Sequence, residues 1–528
     1  MPPVTHKPRP SVVAGKSVPA AVGGLNAYNG LPAMPEEDAI IMRNLIPAPY
    51  GCPVRKGYQL FADGFAEGVG TVMAWRSDDG SAKLFAVDAD HIYNATDGGT
   101  MTAAEQVVAS QNPWWQSTNF ANAAGVHLIA FNGIDDGFWW GPAGYAPLIV
   151  GDGTASGTWK NVDPKDLVNV VVHQKRIWAV EKDSNLGWYL PPEQVYGVAT
   201  SFDFGGCFSK GGFLQALATW TTDSGTGIDD KLLAISSQGE VAIYSGFDPN
   251  DPDNWKLEGV YNAGETFTRR CWTKYGGDCA ILTQYGVVTM SSLLSAEESV
   301  SANSLSLKVQ KIFSDLAAEG EYRAGWQILN YPNEDLLIVN IPGLSIAANF
   351  QLAMNTITRG WTEFVGFNAQ CWSRYGSSIV YGGFQALYIG LTGRTDNADM
   401  DGENGVAIRA EVQQAFSYFG AQGQNKHFKM FRPTFIYGGD FEFRAQANMD
   451  FDFGGTPPAA SPPFYKYGIW DEDVWDGGAV WSGGLLSAKQ WVFVTGIGYA
   501  ASIRMQIETA SEVTWVSTDW AMENGGIV

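Results

Sequence analysis

Apolar and polar positions alternate in short runs along most of this chain, and the runs come in pairs. Between about residue 70 and residue 395 one unit recurs: an alternating run, a polar turn, and a second run that is often aromatic. This is the period-two signature of a half-buried hairpin. The pairs are Lys83–Val87 with Ile92–Tyr93, Val126–Phe131 with Phe138–Trp140, Arg176–Val180 with Gly187–Leu190, and Leu232–Ile235 with Val241–Tyr244. Cys279–Leu282 with Val287–Met290, Leu336–Ile341 with Phe350–Met354, and Ser378–Tyr381 with Ala386–Ile389 complete the series. The turns carry Asp135-Asp136-Gly137, Ser237-Gln238-Gly239 and Gln284-Tyr285-Gly286, residues that tolerate positive φ or bond their own backbone.

The repeat is written out in two stretches a hundred residues apart, Cys271-Trp272-Thr273-Lys274-Tyr275-Gly276 and Cys371-Trp372-Ser373-Arg374-Tyr375-Gly376. Such a unit cannot bury its own apolar face and needs stacked neighbours. A spacing of about fifty residues is that of a four-stranded propeller blade. The expected fold is therefore all-β: a seven-bladed β-propeller over residues 70–395, preceded by an extended N-terminal arm and lead-in strands over 1–69. A β-sandwich-like C-terminal domain is expected over 396–528. A single sandwich or barrel is the rival for short, evenly spaced strands. Trp272 and Trp372 are expected at equivalent, largely buried places in two blades with one blade between them.

Outside the repeat the pattern changes. Residues 1 to about 25 are rich in Pro, Ala and Gly without a period, and read as an extended arm. Its cations Lys7, Arg9 and Lys16 are candidates for a protein interface. Leu305, Val309, Ile312, Phe313 and Leu316 fall at helical spacing and Gly320 follows as a stop, which predicts one helix between the fifth and sixth hairpins. Residues 428–452 alternate as a long strand pair, and further runs lie at Tyr499–Glu508 and Val513–Trp520. Between them Trp470, Trp475, Trp481 and Trp491 form a cluster that reads as core and also suits a subunit interface.

With 528 residues, 45% of them apolar, the chain has enough material for large cores. No apolar run approaches the roughly twenty residues of a membrane span, and the amino terminus lacks a long apolar h-region. A soluble protein without a membrane span, made in the cytoplasm, is expected. Cys52, Cys207, Cys271, Cys279 and Cys371 are scattered and odd in number, against both a disulfide framework and a zinc cage. The five histidines are equally dispersed. No metal and no cofactor is expected.

Net charge is −22, the wrong sign for holding phosphates through released counterions. The same charge serves ordinary solubility. Carboxylates for a glycosidase exist at Asp135 and Asp136, at Asp229 and Asp230, and at Asp248, Asp251 and Asp253. All are expected in turns, where Asp bonds local backbone. The Asp248–Asn254 stretch offers oxygen ligands for calcium but lacks the position pattern of an EF-hand.

The segment with Met34-Pro35-Glu36-Glu37-Asp38-Ala39, Tyr50-Gly51 and Arg55-Lys56-Gly57-Tyr58 resembles the amino terminus of tail proteins from short-tailed bacteriophages. Residues 176–192, 227–247 and Trp470 to Gly525 are similar to that family's later segments. The resemblance is to the tail hub, or packaged-DNA stabilisation, proteins of podoviruses. It implies a structural, non-enzymatic virion protein in a homo-oligomeric, hexameric ring below portal and adaptor, touching other tail proteins such as a fibre or needle. Genomic DNA would pass without sequence-specific binding. It transfers no catalytic residues. A propeller glycosidase or depolymerase, and a sugar-binding attachment protein, are the alternatives.

Overall fold

The structure is a computed structural model and describes residues 13–223, 228–295, 304–320, 322–455, 457–460 and 486–525. Strand predominates, arranged in many small sheets, with short helices at Met290–Ser295 (α1) and Gln310–Gly320 (α2). Each expected hairpin is present. Ala82–Val87 pairs with His91–Asn94, Gly125–Phe131 with Gly137–Gly141, Arg176–Glu181 with Leu186–Tyr189, and Ile228–Ser236 with Glu240–Ser245. Asp278–Thr283 pairs with Gly286–Thr289, Leu336–Ile341 with Phe350–Asn355, and Ser378–Gly382 with Phe384–Thr392.

A further strand precedes each hairpin and pairs with its first member. These leading strands are Thr71–Arg76, Gln116–Asn122, Leu167–His173, Leu214–Asp223, Trp272–Tyr275, Gln327–Tyr331 and Cys371–Tyr375. Each small sheet packs on the next through these inner strands or the strand paired beside them, and Cys371–Tyr375 packs back on Thr71–Arg76, so the series closes on itself. A separate apolar cluster fills each junction. Phe85, Trp115 and Phe138 join the first two sheets, while Cys371, Val380 and Leu387 join the last to Val72, Leu84 and Tyr93 of the first. Burial between neighbours is what a lone hairpin lacks. Polar side chains clip the same junctions: Gln327 donates to the Trp372 carbonyl (2.8 Å) and accepts from its amide (2.9 Å), and Asn330 Nδ2 donates to the Lys274 carbonyl (3.0 Å).

The outer strand of the last sheet comes from the other end of the chain. Gly57–Gly68 pairs antiparallel with Phe384–Thr392. The remainder of the region expected as arm and lead-in is also divided among other sheets. Val13–Pro19 pairs residue for residue with Glu523–Ser517 in the C-terminal strand Val513–Asn524, and Asp38–Arg43 lies beside Val406–Gln414. The arm expected over residues 1 to about 25 is thus corrected from Val13 onward. Asp38 is buried and fixed by Lys308 Nζ (2.7 Å) and Asn26 Nδ2 (2.6 Å).

Two sheets face each other in the C-terminal region. One contains Val13–Pro19, Val513–Asn524, Lys426–Tyr437, Leu486–Lys489 and Val492–Gly498. The other carries Asp38–Arg43, Val406–Gln414, Ala501–Thr509 and Phe441–Met449, and continues into the sheet of Gln327–Tyr331. Lys426–Tyr437 and Phe441–Met449 therefore do not pair with each other as expected; the turn between them carries the chain from one sheet to the other. Their inward residues Phe428, Phe431, Phe435, Phe441 and Phe443 share one core with Trp515 and Trp520. That core runs on to Trp326, Trp361 and α2, whose Phe313 ring stands edge-on to Trp361 at 5.6 Å.

Candidate functional site at the ring axis

The inner strands place polar side chains around the axis of the closed series. Thr71, Gln116, Asn169, Thr273, Gln327 and Ser373, each from a different sheet, line a cavity of about 260 Å³. A second cavity of about 500 Å³ opens at one end of it, between Trp114, Phe213, Gln215, Glu265 and the segment Tyr322–Trp326. Arg269 and Arg270 line both.

These two arginines sit just before the strand Trp272–Tyr275, in a loop held by Thr268 Oγ1 donating to the Trp326 carbonyl (2.8 Å). From there Arg270 reaches across the axis. It donates to the carbonyls of Gly70 (3.0 Å) and Trp115 (3.1 Å) and to Thr71 Oγ1 (2.6 Å), tying the fifth sheet to the first and second. Arg269 Nη1 donates to the carbonyls of Leu214 (3.0 Å) and Gln215 (2.9 Å) in the fourth. Burial pulls both guanidinium pKa values down, that of Arg269 to about 10. Burial also pushes up the Cys371 thiol beside Arg270, while the guanidinium opposes that rise. Arg323 reaches the larger cavity from the end of α2, with Nη2 on the Glu319 carbonyl (2.9 Å).

The repeat itself contained a signal for this site. Thr268-Arg269-Arg270-Cys271 stands where the sister copy has Asn368-Ala369-Gln370-Cys371. Two adjacent cations in one copy of a repeat, in a chain with 33 basic against 55 acidic residues, mark a departure that shared packing does not require.

Five of the acids considered for catalysis, Asp135, Asp136, Asp230, Asp248 and Asp251, are occupied locally. Asp135 accepts from Ser110 Oγ (3.1 Å), the Gln111 amide (2.9 Å) and Asn132 Nδ2 (2.8 Å). Asp136 lies 3.3 Å from Lys165, and Asp248 3.3 Å from Arg176. Asp251 accepts from the amide of Asp253 (3.0 Å) in its own turn. Asp229 and Asp230 lie in the strand Ile228–Ser236 and not in a turn, correcting that expectation, and Asp230 accepts from Thr221 Oγ1 across the pair (2.6 Å). Among the described residues no three His, Cys, Asp or Glu side chains group as metal ligands.

Of the residues expected at an interface, Lys7, Arg9, Trp470, Trp475 and Trp481 lie outside the described residues. Lys16 is exposed on the strand opposite Trp520. Trp491 stands at the surface with the Arg432 guanidinium 4.7 Å over its ring, and Arg432 is in turn paired to Asp519 at 2.7 Å. The adjoining strand Val492–Gly498 borders its sheet and exposes Phe493 and Ile497.

No protein-family model matches the chain, and no curated protein does. Among solved structures it is similar to BBS1N in complex with ARL6DN, at 11% identity over 65% of this chain and 99% of that one, with a TM-score of 0.39. It is also similar to YCF48 bound to D1 peptide, at 10% identity over 68% and 99%, with a TM-score of 0.33. Likeness at this level assigns no activity.

Proposed function

We propose that the chain is a structural protein of a short bacteriophage tail. In this reading the closed series of sheets is a seven-bladed β-propeller and the C-terminal region its β-sandwich. Six copies form a hub below portal and adaptor, retain the packaged genome and surround its exit path. The resemblance of the sequence to podoviral tail hub proteins suggests the role. The observation that carries it is the way both ends of the chain are stitched in: Gly57–Gly68 completes the last sheet, and Val13–Pro19 is laced to the C-terminal strand over seven paired residues. Pulling the ends apart shears a whole antiparallel ladder at once, a construction suited to holding against internal pressure.

Charge agrees with the conduit. Six copies at −22 carry roughly −132 charges, and a wall of that sign leaves DNA hydrated and unheld. The border strand Val492–Gly498, with Phe493 and Ile497 outward, supplies a surface for the neighbouring copy or tail protein. The glycosidase alternative is disfavoured by the local bonding of Asp135, Asp230, Asp248 and Asp251. A sugar platform at Trp491 is disfavoured because Arg432 already covers one ring face.

Microscopy of the purified chain with the adaptor is the test. A ring with a central hole supports the proposal, and Phe493→Asp is expected to reduce ring yield at least tenfold while the monomer stays folded. A discrete monomer under all conditions, or hydrolysis of a polysaccharide that Asp135→Asn abolishes, overturns it.

A further inference from the structure

The larger axial cavity is unlike the ion-paired cation sites of this chain. Arg55, whose side chain is fully buried, donates in a fork to both oxygens of Asp396 (2.7 Å each), to Asn44 Oδ1 (2.9 Å) and to the carbonyls of Lys56 (2.9 Å) and Val365 (2.7 Å). Lys308 is paired to the buried Asp38. These are cations matched by the protein itself, as buried charges ordinarily are.

Arg269, Arg270 and Arg323 are not matched in this way. Among the described residues none of the three has a carboxylate within ion-pair distance, although the chain carries 55 acids. Backbone carbonyls take part of their donor capacity. Nε and Nη2 of Arg269, and Nε and Nη1 of Arg323, have no hydrogen-bond partner among the described residues. All three arginines line one cavity of about 500 Å³ in which Glu265 is the one acid among the described residues. That volume is within the range of pockets that hold small organic ligands, about 300–1,000 Å³. Gln116, Gln215 and Gln238 add amide groups to its wall, and Trp114 and Phe213, each already under an arginine (5.4 and 5.3 Å), close its apolar side.

We propose that this cavity is a binding site for a small multivalent oxyanion, bearing two or more phosphate or carboxylate groups, held by Arg269 and Arg323 with Arg270 at its inner end. Planar guanidinium forks match both oxyanions in geometry and charge. Arg270 is chiefly the strut across the axis; Arg269 and Arg323, with donors to spare, read the ligand. The site does not depend on the tail assignment, since it rests on the axial cavity alone.

Isothermal titration of the full chain at physiological ionic strength tests this, with pyrophosphate as the polyphosphate probe, citrate as the polycarboxylate probe and sodium chloride as control. One-to-one saturable binding of at least one probe is expected, and the preferred probe identifies the class. Arg323→Ala, which removes a single bond to a neighbouring carbonyl and so spares the fold, is expected to weaken binding about tenfold, the loss typical of a charge-assisted hydrogen bond. Arg269→Lys, which keeps the charge and loses the fork, should weaken it as well, and Arg432→Ala on the distant sheet should not. As a second reading, the better probe should raise the melting temperature of the parent chain more than that of Arg323→Ala. Failure of both probes to bind overturns the proposal, as does binding that Arg323→Ala and Arg269→Lys leave unchanged.

Discussion

Trp272 and Trp372 hold the same register, opposite Ile281 and Tyr381, nine residues on in both copies, yet truncating them should have unequal consequences. Trp372 is 3% exposed, packs on Tyr381 and Phe367 at 4.8 and 5.4 Å, and donates from Nε1 to Asn340 Oδ1 at 2.9 Å. Trp→Ala in such a site costs about 3–5 kcal/mol through lost transfer energy and the residual cavity. The lost hydrogen bond adds little, about 1 kcal/mol, because Asn340 Oδ1 still accepts from Gln351 Nε2 at 2.9 Å. Trp272 is less deeply set, partly buried between the clusters on either side of its sheet. Its replacement by Ala should cost about half as much, roughly 2 kcal/mol. Urea unfolding followed by far-ultraviolet circular dichroism reads both variants without relying on the indole removed. Equal losses, or a loss under about 1.5 kcal/mol for Trp372→Ala, would refute the claim that repeat position sets register while neighbours set energy.

Arg55→Met should destabilise by about 3–5 kcal/mol, since Asp396 and Asn44 lose the group that neutralises them; adding Asp396→Leu should recover part of the loss, measured in the same urea assay. His173 is buried, with Nδ1 at 3.2 Å from Thr219 Oγ1, and desolvation draws its pKa down to about 4. The unfolded chain, titrating near 6.5, then binds more protons between those values. Stability is therefore intact above about pH 6.5 and falls as pH drops towards 4, by about 3 kcal/mol in all, and His173→Gln should flatten that part of a stability-against-pH curve. Removing residues 1–19 exposes the edge of Val513–Asn524, so size-exclusion chromatography should show larger, heterogeneous aggregates beyond whatever the parent chain forms.

Hairpins were legible because alternation and turn chemistry are local, and every pair expected between residues 83 and 389 is found. Partners distant in sequence were not. Val13–Pro19 is an edge strand with mostly exposed side chains, so it carries no apolar alternation and reads as arm. Alternation in residues 426–449 reports that each strand is half-buried, and is silent on whether the two share a sheet. α2 lay where the spacing of Val309, Ile312, Phe313 and Leu316 put it, whereas α1 is six residues long, too short to show a period. The axial site was visible only as a dibasic pair before one copy of the repeat. Its meaning depends on Gly70, Trp115 and Leu214, which only the closed ring brings to it.

Closure from the two ends also fixes the order in which this protein comes into being. The last sheet cannot be finished from residues 371–392 alone; its outer strand left the ribosome some three hundred residues earlier. The lacing of Val13–Pro19 waits for residues 517–523, which at about 5–20 residues per second arrive roughly 25 to 100 seconds after it. During that interval two strand edges stand open on a nascent chain. Pairing between partners so distant in sequence makes for slow, concentration-sensitive folding, the cost of a series of sheets closed by strands from opposite halves of the chain.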